Sequence, residues 1–204
     1  MKRIIAALSC VCALAFASLG LAADGPGTSA VRRANEAVAE LLKRPAAPGS
    51  EAEKKLVSEI GSRLKGFLDV EELGERALVD HWDKLTASQR QQYLSLLRAL
   101  VEQSYVRVLR NNRDYEVKYL EETPEGESLR VVTELVLKKP DRSDTISIEY
   151  LLRNDGGAWR AFDLITDGVG LVENYRAQFN KIMAKEGFDG LLERMRKKRD
   201  AGQG

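Results

Sequence analysis

Near Tyr115 the apolar residues of this chain stop recurring every three or four positions and start to alternate. An α-helix presents its side chains with a period of about 3.6 residues and a strand with a period of about 2, so no segment satisfies both patterns. The switch divides the chain into a helical first half, a block of strands and a helical end. Residues 115–120, 129–138, 145–153 and 158–165 read as four strands. Pro124-Glu125-Gly126, Lys139-Pro140-Asp141 and Asn154-Asp155-Gly156-Gly157 separate them. Connections this short join antiparallel neighbours, because a parallel crossover needs about a dozen residues or more. Leu129, Val131, Thr133, Leu135 and Leu137 fall on one face of the second strand, and Arg130, Val132, Glu134 and Val136 on the other. One face is apolar and the other mixed, and alternation alone leaves open which is concave. The fold class this predicts is α+β: N-terminal helices, a four-stranded antiparallel sheet, and C-terminal helices packed on one sheet face.

The helical segments carry their own start and stop signals. Residues 23–30 are rich in Gly, Pro and Ser and read as a loose start, followed by a helix over 31–44. Pro45 and Pro48-Gly49 end it. Ser50-Glu51-Ala52-Glu53 and Thr86-Ala87-Ser88-Gln89 have the capping-box pattern, and Asp69 has the place of an N-cap between them. The helix opened at Thr86 runs to about Leu109. Leu94, Leu97, Val101, Tyr105 and Val108 share one face, and Tyr93, Leu96 and Leu100 widen it, which predicts burial over much of its circumference. After the strands, Leu171, Val172, Tyr175, Phe179, Ile182 and Met183 restore helical spacing. Gly187 breaks it, and a last helix follows with Phe188, Leu191, Leu192 and Met195 before the basic run Arg196 to Arg199.

The first segment reads as an export signal. Lys2 and Arg3 precede an uncharged run from Ile4 to Leu21, and Gly20-Leu21-Ala22 supplies small residues for cleavage after Ala22 or Ala23. The polar residues that follow favour a cleaved signal over a membrane anchor. The expected organisation is a signal peptide at 1–22 and a single domain at 23–204. Cleavage would remove Cys10 and Cys12, the two cysteines of the sequence, leaving no disulfide and no thiolate metal ligand. With 32 basic and 31 acidic residues the formal charge is +1, which argues against a nucleic-acid partner.

No catalytic constellation emerges. The sequence holds no GxSxG, HExxH, phosphate-binding glycine loop or dinucleotide fingerprint. His81, the one histidine, stands beside Trp82 without a partnering motif and reads as a boundary residue. Asp163 and Asp167 flank a strand end and read as a turn residue and a helix cap rather than an acid/base pair. Tyr105, Tyr119, Tyr150, Trp159, Phe162, Tyr175 and Phe179 cluster where strands meet helices. Periodicity alone leaves two readings open there, a filled core or a ligand cavity. If a cavity, the inward-aimed residues are Leu97, Val101, Tyr105, Leu135, Ile148, Tyr150, Phe162, Val169, Leu171, Tyr175 and Phe179.

The stretch from Gly157 to Phe179 resembles the signature of the toluene-tolerance/MlaC family: Trp159-Arg160, Phe162-Asp163, Gly168-Val169-Gly170-Leu171-Val172, Asn174-Tyr175-Arg176 and Gln178-Phe179. Lys185 to Leu192 continues it, and Thr86-Ala87-Ser88-Gln89-Arg90 is similar to the family's helix opening. The likeness is strongest over 50–195, and Gly170 stands where many members carry Ser. It implies a nuclear-transport-factor-like cone with added helices, and a periplasmic, non-enzymatic lipid carrier. On that footing the eleven residues above would contact phospholipid acyl chains, with phospholipid as cargo and no cofactor or metal. The partners implied are an inner-membrane ABC lipid transporter complex and an outer-membrane lipoprotein complex, served by a monomer that maintains outer-membrane lipid asymmetry. The alternatives are a hopanoid-associated carrier of the same family and a non-enzymatic envelope assembly protein with a filled core.

Overall fold

The computed structural model describes residues 24–47, 49–110, 115–138 and 143–201. The expected signal peptide lies outside them. Four helices come first: α1 (Pro26–Leu42), α2 (Glu51–Leu64), α3 (Val70–Ala77) and α4 (Ala87–Arg110), with a 3₁₀ turn at Trp82–Lys84. The strands are β1 (Tyr115–Glu125), β2 (Ser128–Lys138), β3 (Ser143–Asp155), β4 (Ala158–Thr166) and β5 (Val169–Gly170), and α5 (Leu171–Ala201) closes the chain. The sheet is an antiparallel meander in the order β1-β2-β3-β4-β5. The class is the α+β fold expected, with one strand more than the four read from the sequence.

The helix starts follow the capping chemistry. Ser50 Oγ accepts from the Glu53 N–H at 3.2 Å, and the Glu53 carboxylate returns to the Gly49 N–H. Thr86 and Gln89 bond reciprocally, at 2.9 and 3.3 Å. Asp69 accepts from the Glu72 N–H at 3.2 Å. Gly187 breaks α5 with a non-helical φ of 67°.

The chain departs from expectation at α1, which begins at Pro26 instead of near residue 31. The Gly/Pro/Ser segment is the helix's first turn. Proline suits that position because its φ is already helical and no N–H is lost. Gly27 lets the helix lie close on β2, where a Cβ would meet Val131 Cγ2 at 3.0 Å. No local side chain caps this end. The Glu122 carboxylate of β1 does so, accepting from the Gly27 and Thr28 N–H groups at 3.3 and 2.6 Å.

Two irregularities of the ladder aim the sheet. In β1 the pairing jumps from Tyr119↔Thr133 to Glu121↔Val132, leaving Leu120 as an extra residue, 54% exposed. In β4 it jumps from Leu151↔Asp163 to Leu152↔Ala161, leaving Phe162 extra. Each bulge reverses the alternation of the strand beyond it. The helices cover the face bearing Val131, Thr133, Leu135, Tyr150 and Leu152, which are buried. β5 forms because Asp167 and Gly168 both take positive φ, 48° and 81°, making a tight Asp-Gly hairpin that returns Val169 to Thr166.

The turn between α2 and α3 is stitched to the sheet. The Asp69 N–H donates to Ala161 O at 2.7 Å, and the Ala161 N–H to Phe67 O at 2.8 Å. Beneath it, α3 and α4 meet at Gly74, whose carbonyl accepts from the fully buried Tyr93 hydroxyl at 3.1 Å. A Cβ on Gly74 would fall 2.5 Å from Leu94 Cδ2 and 3.1 Å from Leu97 Cδ2. Gly74→Ala is therefore expected to lower stability by about 1–3 kcal/mol, the usual cost of overpacking, despite alanine's better helix propensity. A urea midpoint equal to or above wild type would contradict this contact.

Candidate functional site

A cavity of about 360 Å³ opens between the helix layer and the covered face of the sheet. That size falls within the ~300–1,000 Å³ of small-molecule sites. Its floor is sheet: Tyr115 and Val117 of β1, Thr133 and Leu135 of β2, Ile148 and Tyr150 of β3, Leu164 and Thr166 of β4. Its roof is Asn35 of α1, Val101 and Ser104 of α4, and Leu171, Asn174 and Tyr175 of α5, with Leu68 at one end and Val169 and Gly170 at the other. Thr166, Val169 and Asn174 are exposed, so this second end is the mouth. Among the described residues no lining side chain carries a charge.

The polar groups in the lining are largely committed. Thr133 Oγ1 donates to Ile148 O at 2.9 Å and so turns its methyl to the interior. Asn35 Nδ2 donates to the Tyr119 hydroxyl at 3.3 Å. Burial pushes the Tyr150 phenol up, opposed by a hydrogen bond with Asn35, and the Phe67 ring lies against it with centroids 6.0 Å apart. Tyr115 and Tyr119 are likewise raised by burial. These phenols stay protonated and neutral near pH 7. To an apolar guest the described residues present a mainly apolar, uncharged lining.

Of the residues singled out in the sequence, Val101, Leu135, Ile148, Tyr150, Val169, Leu171 and Tyr175 line this cavity. Leu97, Phe162 and Phe179 do not. Leu97 is fully buried in the packed helix layer. Phe179 stacks on Tyr175 and meets the Tyr93 edge, with centroids 5.1 and 5.7 Å away. Phe162 is the extra residue of the β4 bulge and lies under the Arg76 guanidinium, 4.3 Å from its ring centre. Tyr105 belongs to α4, but its side chain is outside those described. The bulge carries the covered face from Ala161 to Leu164 and so drops Phe162 from it, whereas Leu164 and Thr166, two and four residues beyond Phe162, were legible from alternation. Tyr115 and Val117 were legible from alternation in β1, and Thr133 from β2. Asn35 and Ser104 carried no apolar signal.

The groups that hinted at chemistry have structural posts. His81 Nε2 lies 3.0 Å from Asn180 Oδ1, and Asn180 donates to Asp80 at 2.7 Å. Asp167 sits in the hairpin turn, while Asp163 caps α5, accepting from the Val172 N–H at 3.0 Å. Among the described residues no group of His, Cys, Asp or Glu is placed to hold a metal ion, and no helix is long and apolar enough to cross a membrane.

A meander roofed by helices, with a mainly apolar cavity between the layers, defines an α+β protein built around an internal cavity. The family described as MlaC protein matches residues 32–197. The chain belongs to the MlaC family. It is 21% identical over 134 residues to the intermembrane phospholipid transport system binding protein MlaC of Haemophilus influenzae, an alignment covering 65% of this chain and 63% of that protein. It therefore spans a little under two thirds of that relative's length. Its fold is similar to that of a phospholipid-binding protein from Ralstonia solanacearum solved in complex with a phospholipid. The TM-score is 0.76 at 18% identity, over 88% of this chain and 100% of the other.

Proposed function

We propose that this protein is a periplasmic lipid carrier that takes phospholipid acyl chains into the cavity between sheet and helices. The observation that carries this reading is the lining itself, mainly apolar and, among the described residues, free of charge. Family membership and the phospholipid named for both relatives support it. Each methylene withdrawn from water contributes about 0.8 kcal/mol, so moving a 16-carbon chain through water unaided costs on the order of 13 kcal/mol. An apolar cavity removes most of that barrier without any reactive group. The headgroup then stays at the mouth, beside Thr166, Val169 and Asn174, in water. Delivery between an outer-membrane lipoprotein complex and an inner-membrane ABC transporter, with upkeep of outer-membrane lipid asymmetry, is the role that fits such a carrier. The export signal at residues 1–22 would place it there, acting as a monomer without a cofactor.

Native mass spectrometry of the exported protein tests the proposal in one experiment. The polypeptide mass should correspond to a chain starting at Ala23 or Asp24, and gentle ionisation should retain phospholipid that organic extraction then recovers. A chain retaining Met1, or a correctly processed chain with no lipid bound and none taken up from vesicles, would refute it.

A further inference from the structure

We propose that Asp163 is a positioning residue for the cavity mouth, setting how fast cargo enters and leaves; this rests on the carrier reading above. Among the described residues, one side of the rim is Val169, Gly170 and Leu171, the short β5 strand and the first residue of α5. Two ladder pairs, Ile165↔Gly170 and Thr166↔Val169, hold it to the sheet, and Val169 is 56% exposed. Such a segment opens easily unless something else fixes it.

Asp163 supplies the fixing. Its Oδ1 accepts from the Leu164 N–H at 2.8 Å and the Val172 N–H at 3.0 Å, and the Leu171 N–H also bonds to the carboxylate. One side chain thus joins β4 to the unpaired N–H groups at the start of α5, where the helix dipole favours negative charge. Gly170 has no side chain to cap that end. A Cβ there would lie 3.4 Å from Asp163 Oδ2, so the carboxylate fills the space beside it. The β4 bulge keeps Asp163 in place. Phe162 is held under Arg76, and Arg176 of α5 donates to the Arg76 carbonyl at 2.8 and 3.1 Å. Asp163 does not line the cavity, so any effect on cargo must pass through the rim.

The same device on β1, the opposite edge strand of the sheet, provides a control. Glu122 caps α1 from β1 through two N–H groups and is remote in sequence from the rim segment. Protein loaded with a pyrene-labelled phosphatidylglycerol would be mixed with unlabelled phosphatidylglycerol/phosphatidylethanolamine vesicles and the release rate read by fluorescence, alongside thermal unfolding. Asp163→Ala should release about tenfold faster, the scale of a lost helix cap. Glu122→Ala, with a comparable fall in Tm, should release within about twofold of wild type, since the cap it loses is at α1. Equal acceleration by both variants would reduce the effect to general destabilisation and overturn the proposal, as would a wild-type rate in folded Asp163→Ala. Should the alanine variant not fold, Asp163→Asn decides. Its neutral amide is a weaker acceptor, so release about two- to fivefold faster supports the proposal, and a wild-type rate overturns it. Wild-type protein that takes up no lipid would instead defeat the carrier reading on which this rests.

Discussion

Asp69→Ala is expected to cost about 3 kcal/mol of folding stability, a large share of the ~5–15 kcal/mol of an ordinary domain. Asp69 is 1% exposed, at the turn where α2 gives way to α3. One carboxylate performs three tasks there. It caps α3 through the Glu72 N–H at 3.2 Å. It pairs with Arg153 of β3, whose Nε and Nη2 lie 2.7 and 2.6 Å away. It also stands 3.9 Å from Arg160 of β4, which in turn bonds Asp155 at 2.7 Å and the Leu68 carbonyl at 3.3 Å. Removing one partner of a buried pair costs about 3–5 kcal/mol. Both arginines keep part of their surface in water, which lowers that figure, and the lost cap adds about 1 kcal/mol. Asp69→Asn keeps an acceptor for the Glu72 N–H and should lose roughly half as much. Arg194→Ala, which breaks an exposed pair with Glu186, should leave stability close to wild type. Urea unfolding of the three variants checks this order, and an Asp69→Ala loss below 1 kcal/mol would show that the stitch between turn and sheet is held by its backbone bonds alone.

Local signals in the sequence carried most of the fold. The caps at Ser50, Asp69 and Thr86 and the break at Gly187 depend on neighbours within a few residues, so their sequence patterns sufficed. The covered sheet face was narrowed to two by the alternation in β2 but settled only by where α1, α3 and α5 pack. What stayed hidden acts at a distance. Glu122 caps α1 from 94 residues away, which no local pattern announces, and of the Asp163/Asp167 pair the local pattern does not tell that Asp163 is the cap and Asp167 the turn residue. The bulges at Leu120 and Phe162 change the phase of a strand by one residue, and the sequence around them gives no turn residue to mark it. Phe162 therefore falls under Arg76, and the covered face of β4 passes directly from Ala161 to Leu164. Helical periodicity shows which face of α4 is inward but not how deep each position lies. Leu97 and Val101 share that face, yet only Val101 reaches the cavity.

That difference in depth predicts opposite outcomes for the same chemical change. Leu97→Asp puts a carboxylate into packed interior, where the original side chain is 0% exposed. The lost packing alone costs about 2–5 kcal/mol, and an unpaired buried charge adds several more. The variant should be largely unfolded by circular dichroism. Ile148→Asp puts the same group on the cavity floor, between Thr133 and Thr166 in the ladder and facing a space that opens at Val169. Water entering that space can hydrate the carboxylate, so the stability cost should stay near about 1–2 kcal/mol and the fold should survive. Lipid is the part that suffers. An acyl chain entering the cavity would strip the water from the charge, which should reduce bound phospholipid at least about a hundredfold. Unfolding of Ile148→Asp would mean that the cavity is closed to water, and full lipid loading in the folded variant would place the acyl chain elsewhere. A folded, lipid-free Ile148→Asp beside an unfolded Leu97→Asp would separate binding surface from core within one layer of the molecule.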